Sequence, residues 1–301
     1  AWQLARKNGQ IDDAMPLARF AAGLVIGSPI PLFEALDRFD RCRAPIIGWD
    51  AVVRIAQEAV EDAAADGVNH LELRFSPFTL ARSSGLSVAE VFAAVRQGAA
   101  AGQRERQVRV ALVVVISRRR GLDAAWQVVR AVADHGQGWI AGADLASDEL
   151  RHRTAAFADV ARALVDLGLA LTVHTGEGAG PKHVAEALLL PGVRRLGHAL
   201  SLVDDAGLLA EAAARGLLVE VCPTSNLRAG VVTDLDRHPA RRMLEAGLAI
   251  AICSDDPALF DVDLSHELAL ANRHFGLELK ELTAMQGRAA RAMFAPAGGA
   301  M

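Results

Sequence analysis

Tyrosine is absent from the 301 residues, and lysine occurs only at Lys7, Lys182 and Lys280 among 32 basic residues. Both scarcities read as compositional bias rather than as marks of function. Cysteine is scarce too: Cys42, Cys222 and Cys253 form no CxxC pair and leave an odd count. That argues against a disulfide framework and for a reducing, cytoplasmic setting. Charge of one sign is missing, since 36 acidic residues against 32 basic leave a net charge of -4. No field is therefore expected that would hold nucleic acid or an anionic membrane. Apolar runs such as VRVALVVVI at 108–116 stop well short of the roughly 20 residues a membrane span needs. The opening AWQLARKNGQ carries no charged segment followed by an apolar core, so no signal peptide is read there. No glycine-rich phosphate loop of the G-x-G-x-x-G or P-loop type follows a strand-like run, which weakens a nucleotide-cofactor reading. Nor does any His-x-His occur.

What is present is a chain with 52% hydrophobic content, enough to bury a large core as one barrel or two smaller domains. From residue 50 onward helical periodicity alternates with short apolar runs. The helical segments are 51–66, 87–104, 121–135, 152–168, 181–190, 204–215, 239–247 and 279–294. Between them lie NHLELRF, VRVALVVVI, IAGADLA, LALTVHT, VRRLGHAL, GLLVEVCP and LAIAICSDD. Repeated βα units with a parallel sheet follow. In six of the seven runs the polar residues gather at the C-terminal end: Arg74 and Ser76, Asp144, His174, His198, Thr224 to Asn226, and Asp255. A doubly wound sheet collects its ligand groups at one switch point, whereas a barrel rim draws them from nearly every strand. The fold expected is therefore an α/β (β/α)8 TIM-type barrel in a single domain, 1–301. Residues 1–49 read as helices and loops, with Gly9 ending a first short helix, and the tail APAGGAM is a small-residue tract. Such a barrel needs eight strands. Only seven are counted, and the first is expected to lie before residue 1.

Three strand ends carry chemistry. His174-Thr-Gly-Glu177 puts an imidazole at a strand end, where a metal can bind, and a carboxylate past a glycine turn, where it can move protons. Alternatively, the histidine meets a backbone carbonyl and the glutamate caps the next helix. Asp255 and Asp256, in SDDP, repel each other and are costly to bury without a cation or hydrogen bonds. Alternation along a strand gives the two distinct directions, so one can bind metal while the other meets substrate. A cap with Pro257 at the first helical position fits Asp256 equally well. His198, after Gly197, is a base, an orienter of water, or a core histidine. The histidines at 70, 135, 152, 183, 238, 266 and 274 read as solvated or structural, and Arg74 with Glu72 as an ion pair on one strand or a rim contact.

HTGE at 174–177, GH at 197–198, CPTSN at 222–226 and SDDP at 254–257, in that order, resemble the adenosine deaminase family of metal-dependent amidohydrolases. DLASDE at 144–149 and LRFSP at 73–77 are similar to its strand-end motifs, and the likeness covers essentially the whole chain. The resemblance implies one zinc ion with His174 and Asp255 as ligands. It implies Glu177 as proton donor to purine N1, His198 as orienter of the water and stabiliser of developing charge, and Asp255 as hydrogen-bond partner of that water. Asp256 would meet N7 and the backbone of Ser147 would face N3. The substrate would be a small purine nucleoside or base, with no nucleic acid or membrane partner, and a homo-oligomer is possible. Three positions depart from the pattern. Ser147 stands where the family has glycine, Ala199 where GHG is usual, and the His-x-His of the first strand, which brings two zinc ligands, is absent. An inactive truncated form or a purine-binding pseudoenzyme is the alternative reading.

Overall fold

The computed structural model describes residues 1–296, so the end of the APAGGAM tract, 297–301, lies outside the described residues. Seven strands form one parallel sheet in chain order: β1 (His70–Phe75), β2 (Arg109–Ser117), β3 (Ile140–Ala146), β4 (Ala170–Thr175), β5 (Val193–His198), β6 (Leu218–Val221) and β7 (Ala249–Ile252). Each neighbouring pair is parallel, and β1 and β7 are the two edges among the described residues. The curled α/β sheet is thus a TIM-like barrel with seven strands, as the periodicity predicts. The seven apolar runs all become strands, and the eight helical segments lie within a few residues of their expected bounds. Helices the periodicity missed include Pro77–Ser84, Pro223–Arg228 and Leu264–Phe275. No helix among the described residues is long and apolar enough to cross a membrane.

The period of two divides each strand. Leu73 and Phe75, Val114 and Ile116, Leu171 and Val173, and Val219 and Val221 pack outward against the helices in one large core. The alternate residues face the barrel interior, and there the chain places charge. Arg74 pairs with Asp144 at 2.7 Å and with Glu220 at 2.7 Å. Arg195 reaches Glu72 at 2.6 Å and Glu220 at 3.1 Å, without well-aligned N–H···O geometry. Thr172 donates its hydroxyl to Glu220 at 2.9 Å. The ion pair expected between Arg74 and Glu72 is therefore corrected: same-strand alternation puts both inside, but their charges are met by neighbouring strands. Below this layer Phe294 packs on Ala111, Val113 and Ala141, lies 3.5 Å from the Arg195 guanidinium and donates its N–H to Glu72 at 2.6 Å.

Glu220 is 5% exposed. Burial pushes its pKa up, but Arg74 and Arg195 outweigh burial and bring it down to about 2. Its stabilising contribution is fully present above the usual glutamate value of ~4.3 and is lost as pH falls toward 2. Glu220→Gln leaves two buried guanidinium groups short of charge and should cost about 3–5 kcal/mol in urea unfolding at neutral pH. The acid slope below pH ~4.3 should flatten in the same variant.

Candidate active site

All the residues singled out by sequence lie at the C-terminal ends of the strands. β4 delivers His174, whose Nδ1 lies 2.9 Å from Asp144 Oδ1 at the end of β3. In register, His174 sits beside Gly197 of β5. A Cβ at Gly197 would lie 3.1 Å from His174 Nδ1 and 3.2 Å from its Cγ, so the glycine before His198 makes room for the first histidine. Burial lowers the basicity of His174, but the Asp144 carboxylate outweighs it and raises the pKa to about 9. Asp144, only 1% exposed, is pushed up by burial yet held well below the usual carboxylate range by His174 and Arg74.

The turn after β4 requires its glycine, because Gly176 has φ +61° and a Cβ there would meet Ser201 Oγ at 2.6 Å and Val184 Cγ2 at 2.7 Å. Glu149, 6% exposed, accepts the N–H groups of Gly176, Glu177 and Gly178 at 2.8, 2.9 and 3.2 Å. One carboxylate thus fixes the loop that carries Glu177. The cap alternative for Glu177 fails, since helix Pro181–Leu189 starts from Gly180 with no side-chain cap. Glu177 Oε1 instead lies 3.7 Å from His198 Nε2, and the His174 and His198 rings meet edge to face at 4.9 Å between centroids. Burial raises the Glu177 pKa, against the opposing pull of His198 and His174.

Asp255 is exposed just beyond β7, and one donor atom each from Asp255, His198 and Cys222 lie within 4.8 Å of one another. Asp256 occupies the N-cap position of helix Pro257–Phe260, but its side chain makes no cap hydrogen bond. Burial and the neighbouring Asp255 charge raise its pKa above the usual aspartate range. Ser147 has φ +79°, the left-handed region that favours glycine, and its carbonyl accepts from Arg118 at 3.3 Å. His198, Ala199 and Asp255 are also left-handed, at φ +56°, +48° and +57°. Four of the six non-glycine residues with positive φ among the described residues are therefore in this site, each costing about 1–2 kcal/mol.

A histidine whose Nδ1 is held by a carboxylate, leaving Nε2 free, is the form in which proteins present imidazole to a metal. His174 is held that way by Asp144, and Asp255 offers an oxygen within 4.8 Å of donor atoms of His198 and Cys222. The donors fit zinc in kind.

Five supporting residues escaped the sequence reading as functional parts. Asp144 and Asn226 were visible as polar strand ends and Glu149 stood inside DLASDE, but nothing gave them a partner. Arg118, first of three consecutive arginines that carry no motif, is fully buried and donates to His174 O at 2.7 Å and Thr154 Oγ1 at 3.1 Å. Burial pulls its pKa down to about 10. His238, read as solvated or structural, is buried at 4% exposure and joins His198 through Asn226.

A parallel barrel with histidines, a glutamate and paired aspartates at the strand ends is the architecture of an amidohydrolase. The chain belongs to the adenosine deaminase family, whose model matches residues 4–300. It is 37% identical over 260 residues to the adenosine deaminase of Shewanella loihica, covering 86% of this chain and 78% of that protein. An amidohydrolase from Burkholderia ambifaria, solved with bound Zn, superposes with a TM-score of 0.88 at 28% identity, over 98% of this chain and 81% of that one. The adenine deaminase of Arthrobacter aurescens, at 24% identity, shares the fold, with a TM-score of 0.89 over 98% of this chain and 88% of that one.

Glu149→Gln replaces a carboxylate that accepts three N–H groups by an amide whose NH2 must face one of them. The variant should lose about 2–3 kcal/mol in urea unfolding. Faster hydrogen exchange should follow at the amides of Gly176, Glu177 and Gly178. Unchanged exchange at all three would show that the loop does not depend on this carboxylate.

Proposed function

We propose that the protein is a zinc-dependent hydrolase that deaminates a purine at C6, with adenosine the leading substrate and adenine or a 5'-modified adenosine next. The observation that carries this reading is the placing of Glu177, with its raised pKa, against His198 and beside His174 and Asp255. Membership of the adenosine deaminase family supports it.

In this reading Glu177 gives its proton to N1 of the ring, which makes C6 electrophilic. Water adds to C6 with loss of a proton to Asp255, while His198 orients it and stabilises the charge that develops; Asp255 then returns that proton to the amino group, which leaves as ammonia as the C6 hydroxyl proton passes back to Glu177. Substrate plus water thus balances a 6-oxopurine plus ammonia. Asp256, carrying a proton, donates to the N7 lone pair, and the Ser147 backbone faces N3. His174 and Asp255 would hold the zinc, which supplies hydroxide at neutral pH by lowering the pKa of water from 15.7 toward ~7.

A second reading, a purine binder without catalysis, is favoured by one observation: no His-x-His occurs in the 301 residues, and His174 with Asp255 supplies only two of four zinc ligands. Zinc retained after dialysis, measured by elemental analysis, separates the two. Ammonia release from adenosine, adenine and 5'-modified adenosine decides the enzyme reading, and silence from all three would sink it. Glu177→Gln should then lower kcat by about 10²–10⁴-fold with KM little changed.

A further inference from the structure

His198 does not stand alone behind the catalytic mouth. Its Nδ1 lies 3.0 Å from Asn226 Nδ2, and the other end of that amide, Oδ1, lies 3.2 Å from His238 Nε2. His238 Nδ1 in turn receives the backbone N–H of Ala240 at 3.1 Å. The three side chains are buried, at 2%, 0% and 4% exposure, and the His238 ring is packed at 4.9 Å between centroids against Phe275.

One member of this row has no freedom. A backbone N–H only donates, so His238 Nδ1 can only accept, and a neutral His238 must carry its proton on Nε2. That proton points to Asn226 Oδ1, which turns the Asn226 NH2 group toward His198. An NH2 only donates, so His198 Nδ1 can only accept, and the ring proton of His198 must sit on Nε2. The Nε2 atom is the one that faces Glu177. Burial supports the first link by holding His238 neutral, with a pKa lowered to about 4.

We propose that His238 and Asn226 are positioning residues that fix His198 as the neutral Nε2–H tautomer, so that His198 acts on the reacting oxygen as a hydrogen-bond donor and not as a base. This rests on the deaminase reading, in which His198 orients the water and Asp255 takes its proton, and it supplies the hydrogen-bond row that enforces that division. With Nδ1 already accepting from Asn226 and Nε2 already protonated, the ring has no vacant site for a proton from water. The base in the addition step is then a carboxylate, Asp255.

The proposal is tested on the full chain labelled with ¹⁵N-histidine. Long-range ¹H–¹⁵N NMR at neutral pH reads which nitrogen of His198 bears the proton. The wild type should show His198 protonated at Nε2 alone. Asn226→Asp presents only acceptor oxygens to Nδ1, so it should move the proton to Nδ1. With adenosine as substrate, kcat should fall on the order of 10³-fold while KM stays within a few-fold, the pattern of a misplaced tautomer. His238→Phe, which keeps the packing against Phe275 but removes the Nε2–H, should produce a mixture of the two tautomers and a smaller loss of kcat. A wild-type His198 protonated at Nδ1, or at both nitrogens, overturns the proposal without any variant having to fold. So does a shifted proton in Asn226→Asp with kcat unchanged. Absence of turnover in the wild type would count against the deaminase reading, and the spectrum would still decide where the proton lies.

Discussion

Asp144 is the carboxylate on which the rest of the site hangs. One oxygen receives the His174 ring and the other receives Arg74, and the latter contact continues through Glu220 to Arg195 and Glu72. An unpaired carboxylate at 1% exposure would cost several kcal/mol, so both partners are required wherever Asp144 is ionised. The orientation of His174 at the mouth is thus tied to a charge layer that reaches down to Phe294 under the barrel. A barrel filled with aliphatic side chains would have been simpler to pack, but it would have left the imidazole free to turn.

Backbone strain follows the same map. Ser147, His198, Ala199 and Asp255 adopt left-handed backbone at the ends of three strands, β3, β5 and β7, that converge on one mouth. In this light the departures from the family pattern at positions 147 and 199 are conformational: the chain holds serine and alanine where a glycine would sit without strain. The surrounding packing over-determines both, since Ala199 is fully buried and the carbonyl of Ser147 is held by Arg118. Glycine is kept where a side chain would collide, at Gly176 against Ser201 and at Gly197 against His174.

The alternation of period two and the polar strand ends made the architecture legible, because a barrel rim writes its ligands at the end of every strand. HTGE, GH and SDDP were legible for the same reason. What could not be read was partnership. Glu72 and Arg74 alternate on one strand and invite pairing, yet cross-strand neighbours take both charges, because side chains two residues apart lie along the strand while the next strand is closer. Glu149 reaches a loop 27 to 29 residues away, and His238 reaches its histidine through an amide, separations that no local pattern encodes. Arg118 was hidden among its neighbours Arg119 and Arg120, since only the fold distinguishes a buried guanidinium from exposed ones.

The carboxyl groups at the mouth show how one site separates proton roles without changing residue type. Adjacent Asp255 and Asp256 cannot both be charged cheaply, and the less exposed of the two, Asp256, is the one whose pKa is raised. Asp255 is the exposed one and has left-handed backbone. Glu177 is raised by burial and restrained by two imidazoles, His198 and His174. Like-charge repulsion and unequal burial therefore set neighbouring carboxyl groups of one mouth apart. The row from His238 through Asn226 to His198 adds a neutral, buried hydrogen-bond chain beside these carboxyl groups, so the imidazole nearest Glu177 is oriented from behind by an amide and not by a charge.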